Sequence, residues 1–121
     1  MNVIVDKSFG FAVRVVKLYR FLCDEKKEFV LSKQLLRCGT SIGANVEEAV
    51  HAQSKRDYLS KMNIALKEAN EALYWIRLLH ATNLIDDKQK ESIFADCNEI
   101  VSILVAIVKT TKRNLGEALE K

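Results

Sequence analysis

The chain has 121 residues, 49% hydrophobic and 29% charged, with a formal net charge of +3. That length supports one domain with a core that needs no metal or disulfide staple, and the apolar fraction excludes wholesale disorder. With no proline and four glycines, the composition favours long helices over a turn-rich β fold, while the slight positive balance permits a nucleic-acid partner without requiring one.

Cys23, Cys38 and Cys97 are odd in number, widely spaced and set among apolar positions, so buried thiols are expected in place of a disulfide framework or a zinc site. The opening MNVIVDKSFGF lacks a basic segment followed by a long apolar run, so no secretory signal is expected. In the last third the longest apolar run, Ile103 to Val108, is far too short for a bilayer. A cytoplasmic protein without membrane contact is the default expectation.

The first helix is predicted over about 6–23, capped by Asp6 or Ser8. Phe9, Ala12, Val13, Val16, Tyr19 and Leu22 make its core stripe, widened by Phe11, Val15, Leu18 and Phe21. So broad an apolar face implies burial on two sides, as in a bundle that also oligomerises. Arg14, Lys17 and Arg20 recur along one side, as a solvated face or as part of a phosphate-contacting patch. A charged connection follows, in which Phe29 and Val30 are expected to pack.

The second helix is predicted over 32–52, with Ser32 as a cap. Leu35, Cys38, Ile42, Val46 and Ala49 form an apolar stripe at helical spacing. Arg37, Ser41, Asn45 and Glu48 form a polar row at similar steps, whose short side chains invite a second helix to approach and whose polar groups need partners once buried. One flank thus faces the chain's own core and the other an oligomer interface or binding site; an ordinary solvated face explains the same row. Gly39 and Gly43, four apart, each cost about 1 kcal/mol of helix propensity against alanine. Close contact with another helix is the compensation expected; a break at Gly39 is the alternative.

Ser54 is expected to cap a third helix over 55–81, with Asp57 completing an imperfect capping box. Tyr58, Met62, Ala65, Ala69, Leu73, Ile76 and Leu79 supply its inner face, with Glu71 a polar position set to touch neighbours and Trp75 a rim residue whose indole N–H wants an acceptor. The fourth helix is predicted over 86–115, started by Asp86 or Asp87 and ended at Gly116, leaving EALEK frayed. Ile93, Cys97, Ile100, Leu104, Ile107 and Thr111 face inward. Four long helices with short connections make an all-α, antiparallel up-down-up-down four-helix bundle the simplest architecture.

Catalytic patterns are absent. Glu48 and His51 form an ExxH pair of the kind used by di-iron bundles, but His80 is preceded three residues earlier by Arg77, so the second pair fails. Cys38 and His51 lie thirteen apart, or about 20 Å along one helix, too far for a catalytic dyad. Neither phosphate loop, dinucleotide fingerprint nor nucleophile elbow occurs, and neither metal nor cofactor is expected. Residues 1–56 carry ten positive and six negative charges, against nine and ten in the remainder. Arg14, Lys17, Arg20, Arg37, Lys55 and Arg56 are therefore the candidate nucleic-acid contacts, in the service of backbone binding and not of base reading.

The run LLRCGTSIGANVEEAVHAQSKRDYLSKMNIALKEANEALYWIRLL resembles the small bundle proteins encoded in intervening sequences of bacterial 23S ribosomal RNA genes. The family's Arg, Ser-Ile-x-Ala-Asn, acidic, Ser-Lys-x-acidic-aromatic and Ile-Ala segments fall on Arg37, Ser41, Ile42, Ala44, Asn45, Glu47, Glu48, Ser54, Lys55, Asp57, Tyr58, Ile64, Ala65 and Glu71. Cys38 departs from the pattern, where a small Ser or Ala is usual. The resemblance implies a four-helix bundle assembled with itself as a ring, a homopentamer, and extends to the accessory protein of diversity-generating retroelements, which binds nucleic acid and a reverse transcriptase. Two roles stay open: RNA or DNA binding through repeated basic patches, and a scaffold for a protein partner. Arg37, Ser41, Asn45, Glu48 and Glu71 are equally candidates for a structural polar network between subunits.

Overall fold

The computed structural model describes residues 2–120, with side chains described as far as residue 116. It contains four α-helices: α1 (Val3–Asp24), α2 (Leu31–Val50), α3 (Lys55–Ala81) and α4 (Asp87–Glu120). Each packs against the next, and α4 returns to α1 through the thinnest seam of the four. No Cα of α1 comes within 8 Å of α3, nor of α2 within 8 Å of α4, so the four stand at the corners of an antiparallel up-down-up-down bundle.

Local chemistry sets the helix ends. The Asn2 side chain accepts from the N–H groups of Ile4 and Val5, so α1 begins three residues before the predicted start. Asp6 instead complements the positive end of the first turn, and Ser8 is buried, its hydroxyl donating to the Val5 carbonyl. At α2 the cap comes from upstream: the Glu28 carboxylate accepts from the N–H groups of Val30, Leu31 and Ser32, while the predicted cap, Ser32, donates its hydroxyl to the Glu28 carbonyl. Ser54 caps α3 as expected, accepting from the Asp57 N–H at 3.0 Å. Asp86 and Gln89 cap α4 reciprocally, each side chain accepting from the other's backbone N–H. α1 and α3 are each followed by a residue in the left-handed region, Lys27 at φ 53° and Asn83 at φ 65°. The Leu84 N–H then reaches back to the Leu79 carbonyl at 2.9 Å and closes α3.

Two predicted helix ends move, and one predicted packing contact is not made. α2 stops at Val50, leaving His51 exposed in the turn. α4 runs through Gly116 to Glu120, because one glycine costs only about 1 kcal/mol of propensity and the flanking Leu, Glu and Ala are strong helix formers. The EALEK segment is thus helical through Glu120, and Lys121 lies outside the described residues. Phe29 and Val30 do not pack: they are 55% and 70% exposed. The Glu28 cap turns them outward with the first amides of α2.

The core runs the length of the bundle. Leu35, Cys38, Ile42, Val46 and Ala49 of α2 meet Met62, Ala65, Ala69, Ala72, Ile76 and Leu79 of α3 and Ile93, Cys97, Ile100, Leu104 and Val108 of α4. Val108 is buried where Ile107 and Thr111 were expected, both of which lie at the margin. α1 departs most from expectation: it buries Ile4, Ser8, Phe11, Val15 and Leu22, while Phe9 is 66% and Val13 39% exposed. The cause is the α1–α2 approach. A Cβ on Gly39 would stand 2.8 Å from Val15 Cγ2, and one on Gly43 3.3 Å from the Ser8 carbonyl oxygen. Those two close points turn α1 so that Ser8 and Val15 face α2 and Phe9 and Val13 leave the core.

The two kinds of glycine predict opposite results in urea unfolding. Gly10→Ala, whose new methyl group meets nothing within 4 Å, raises stability by about 0.5–1 kcal/mol. Gly39→Ala forces Val15 to move and lowers it by about 1–3 kcal/mol. A neutral Gly39→Ala refutes the close approach.

Candidate nucleic-acid interface

Helical spacing sets Arg14, Lys17 and Arg20 along one stretch of α1, but their surroundings differ. The Arg14 guanidinium is occupied by α4: Nη1 donates to Asp96 Oδ2 at 2.5 Å and to the Ser92 carbonyl at 3.2 Å, and Nη2 to Ser92 Oγ at 2.7 Å. Lys7, two turns earlier, pairs with Glu99 of the same helix, and that contact raises its pKa. Lys17 and Arg20 are exposed and, among the described residues, have no carboxylate within 4.0 Å. Arg14 and Lys17 share a depression of about 330 Å³ with Leu18, Phe21, Gln89 and Ile93, floored by apolar groups at the α1–α4 seam.

Arg37 stands on the α2–α3 seam, bonded to Glu68 at 3.3 Å and to Glu71. Glu71 also accepts from Trp75 Nε1 at 2.9 Å, the acceptor that the indole was expected to need. Lys55 and Arg56 are exposed at the first turn of α3, at the end of the bundle opposite the last turn of α1. The six basic residues therefore fall into three groups: a stretch of α1, one seam-bound arginine, and a pair at the far end.

The polar row of α2 resolves into separate contacts within the chain. Asn45 Nδ2 donates to the Ser41 carbonyl at 2.9 Å and to Ser41 Oγ at 3.1 Å. Glu48 reaches Lys61 at 3.4 Å. Arg37 and Glu71 bridge the two helices, and Ser41 and Asn45 sit half-buried between these ion pairs. Exposed pairs of this kind contribute about 0–1 kcal/mol each, so their main effect is to fix how α3 is turned against α2.

Of the three thiols expected to be buried, Cys38 and Cys97 are, while Cys23 is only half-buried near the end of α1. Burial pushes Cys38 and Cys97 up to about 12, and Cys97 Sγ donates to the Ala69 carbonyl at 3.3 Å. They lie on diagonal helices whose Cα atoms nowhere come within 8 Å, beyond the reach of a disulfide. Among the described residues, no group of three or more His, Cys, Asp or Glu side chains is placed to hold a metal ion, and no helix is long and apolar enough to cross a membrane.

Spacing alone missed the partners of Arg14 and Lys7, which lie 78 positions or more further along the chain. It also missed a cationic depression between α3 and α4, lined by Tyr74, Arg77, His80 and Lys90. On α3, Tyr74 and Arg77 share a face at three-residue spacing, a legible signal; Lys90 joins them only through the fold.

The fold and these sites define a class of small antiparallel helical bundles with polar seams and scattered surface cations. The chain belongs to the 23S rRNA-intervening sequence protein family, which it matches over residues 2–106. It is similar to a crystallised protein with unknown function from the S23 ribosomal protein family of Bacteroides thetaiotaomicron, at 58% identity and a TM-score of 0.87, over 88% of this chain and 99% of that one. No curated protein matches it.

The buried thiols predict an alkaline loss of stability. A cysteine whose folded pKa stands near 12 keeps its proton between pH 9 and about 12, where the unfolded chain has lost it, so stability falls as pH rises through that window. The raised Lys7 and Tyr19 act in the same direction. Urea midpoints should decline from pH 9 upward, and Cys38→Ala with Cys97→Ala should flatten the slope; an unchanged slope removes the thiols as its source.

Proposed function

We propose that the protein is a noncatalytic subunit of a homo-oligomer, a homopentamer in the reading the family resemblance implies, that binds structured RNA or DNA through a repeated basic surface. The observation that carries this reading is the outer flank of α1. Phe9 and Val13 stand exposed on the helix that also bears the unpaired Lys17 and Arg20. Apolar side chains of that size, displaced from the core by the α1–α2 approach, are best covered by another subunit. Packing subunits side by side would then repeat Lys17 and Arg20 around the assembly, and phosphate contacts add along a backbone where one subunit's few charges bind feebly. Lys55 and Arg56 would extend the surface at the other end. Arg14 and Arg37, held by Asp96 and by Glu68 and Glu71, contribute less than their charge suggests.

A second reading, a scaffold for a protein partner such as a polymerase, is favoured by the outward-facing Phe29 and Val30, an exposed apolar pair between α1 and α2.

The test is a salt series with matched RNA and DNA duplexes and single strands, recording solution mass at each step. Wild-type protein should run as an oligomer and bind with micromolar or tighter affinity that falls steeply with salt. Lys17→Glu with Arg20→Glu should weaken binding about tenfold or more without changing the mass, because each lost phosphate contact flattens the salt slope by about one. Phe9→Asp should lower the mass. An oligomer that binds no nucleic acid in about 50 mM salt rejects the first reading in favour of the scaffold, and a monomeric wild type rejects the assembly.

A further inference from the structure

At the end of the bundle where α3 finishes and α4 begins, the two helices enclose an open depression of about 340 Å³. Tyr74, Arg77, Leu78, His80 and Ala81 of α3 and Lys90 of α4 line it. Its volume lies at the lower end of the range for small-ligand sites, about 300–1,000 Å³.

Charge is the first unusual feature. Arg77 and Lys90 face the same depression from different helices, and among the described residues neither has a carboxylate within 4.0 Å. This contrasts with the cations on the seams, where Lys7, Arg14 and Lys61 each hold one and Arg37 holds two. Asp87, in the turn of α4 before Lys90, is engaged by His80 Nε2 at 2.7 Å and is not part of the lining. Lys90 is also held in place: its Nζ sits 4.5 Å above the Phe94 ring. Two like charges on one concavity repel each other until an anion stands between them. Arginine's fork of donors suits a phosphate, and the lysine adds a point charge.

The second feature is an aromatic face. Tyr74 is 52% exposed, yet it is not loose. Its ring meets Trp75 edge-on, with centroids 5.1 Å apart and planes at 76°. Trp75 is itself anchored through Nε1 to Glu71. A fixed, solvent-facing ring beside two uncompensated cations is the arrangement that takes a planar base on the ring and its phosphate on the charges.

We propose that the depression bounded by Tyr74, Arg77, His80 and Lys90 binds a nucleoside phosphate unit, with the base on Tyr74 and the phosphate between Arg77 and Lys90. This unit has two sources, a free nucleotide and the phosphorylated end of a single strand. The site lies on α3 and α4, apart from Lys17, Arg20 and the outer flank of α1, and stands or falls independently of the assembly proposed above.

Trp75 is the only tryptophan of the chain and touches Tyr74, so its fluorescence reports on the site in the full-length protein. Adenosine 5′-monophosphate should change it saturably, with a Kd of about 1 mM or tighter. Adenosine alone and inorganic phosphate alone should each bind about tenfold more weakly, since each keeps only one of the two contacts. Arg77→Gln and Lys90→Gln should each weaken the nucleotide about tenfold, the loss expected for one charge-assisted contact. Tyr74→Leu, followed by calorimetry, should bring the nucleotide down to the affinity of inorganic phosphate. Thermal melts matching wild type establish that these surface variants fold. A single-stranded decamer with a 5′-phosphate binding more tightly than the mononucleotide, while its 5′-hydroxyl form does not, assigns the site to strand ends; equal or weaker binding by the strand assigns it to free nucleotides. No saturable response up to about 10 mM nucleotide, or affinity unchanged in both Arg77→Gln and Lys90→Gln, overturns the proposal.

Discussion

The structure depends on how closely α1 approaches α2. Two glycines a helical turn apart bring the backbone of α2 against Val15 and against the carbonyl of Ser8. Every other surface of α1 follows from that contact. With Ser8 and Val15 turned inward, Phe11 and Leu22 complete the core. Lys7 and Arg14 are carried to the α4 side, where acids wait for them. Phe9 and Val13 are left facing out. Alanine at Gly39 would displace the Val15 side chain, and alanine at Gly43 would press on the Ser8 carbonyl, so both strain this seam.

The remaining seams use different chemistry. Between α2 and α3 the core is continuous, and its polar margin is organised around Glu71, which receives both Arg37 and the Trp75 indole. Between α1 and α4 the edges are tied by Lys7 with Glu99 and Arg14 with Asp96 and Ser92. These pairs are partly exposed, so their Coulomb energy is small and sensitive to salt. Their consequence is directional: they consume the cations on that side of α1 and leave Lys17 and Arg20 as the ones still available to a partner.

Much of this was legible in the sequence where one signal spoke alone. Ser54 preceding a regular apolar stripe marked the start of α3, and the stripe of α2 from Leu35 to Ala49 is the observed core face. The spacing of Gly39 and Gly43 announced a close helix contact, although not which helix would make it. α1 was misread because it carries apolar residues on two flanks, and periodicity cannot choose between flanks when both are hydrophobic. The caps from Asn2 and Glu28 were missed because a carboxylate two to four residues upstream of the amides it serves, or an asparagine next to the chain start, leaves little pattern. Among the basic candidates, Arg14 and Lys17 look alike in sequence; only the fold shows that one is occupied and the other is not.

The order of the seams also sets how the chain comes together. Three of the four interfaces join helices adjacent in sequence, each across a short turn, and no diagonal pair approaches within 8 Å. Most of the loop-closure cost is therefore met locally, turn by turn, a topology associated with rapid folding. Only the thin α1–α4 seam requires the first and last helices to meet. That closure carries two partly exposed ion pairs at its edge, so the α1–α4 seam responds to ionic strength, while α1 itself is docked on α2 through buried area.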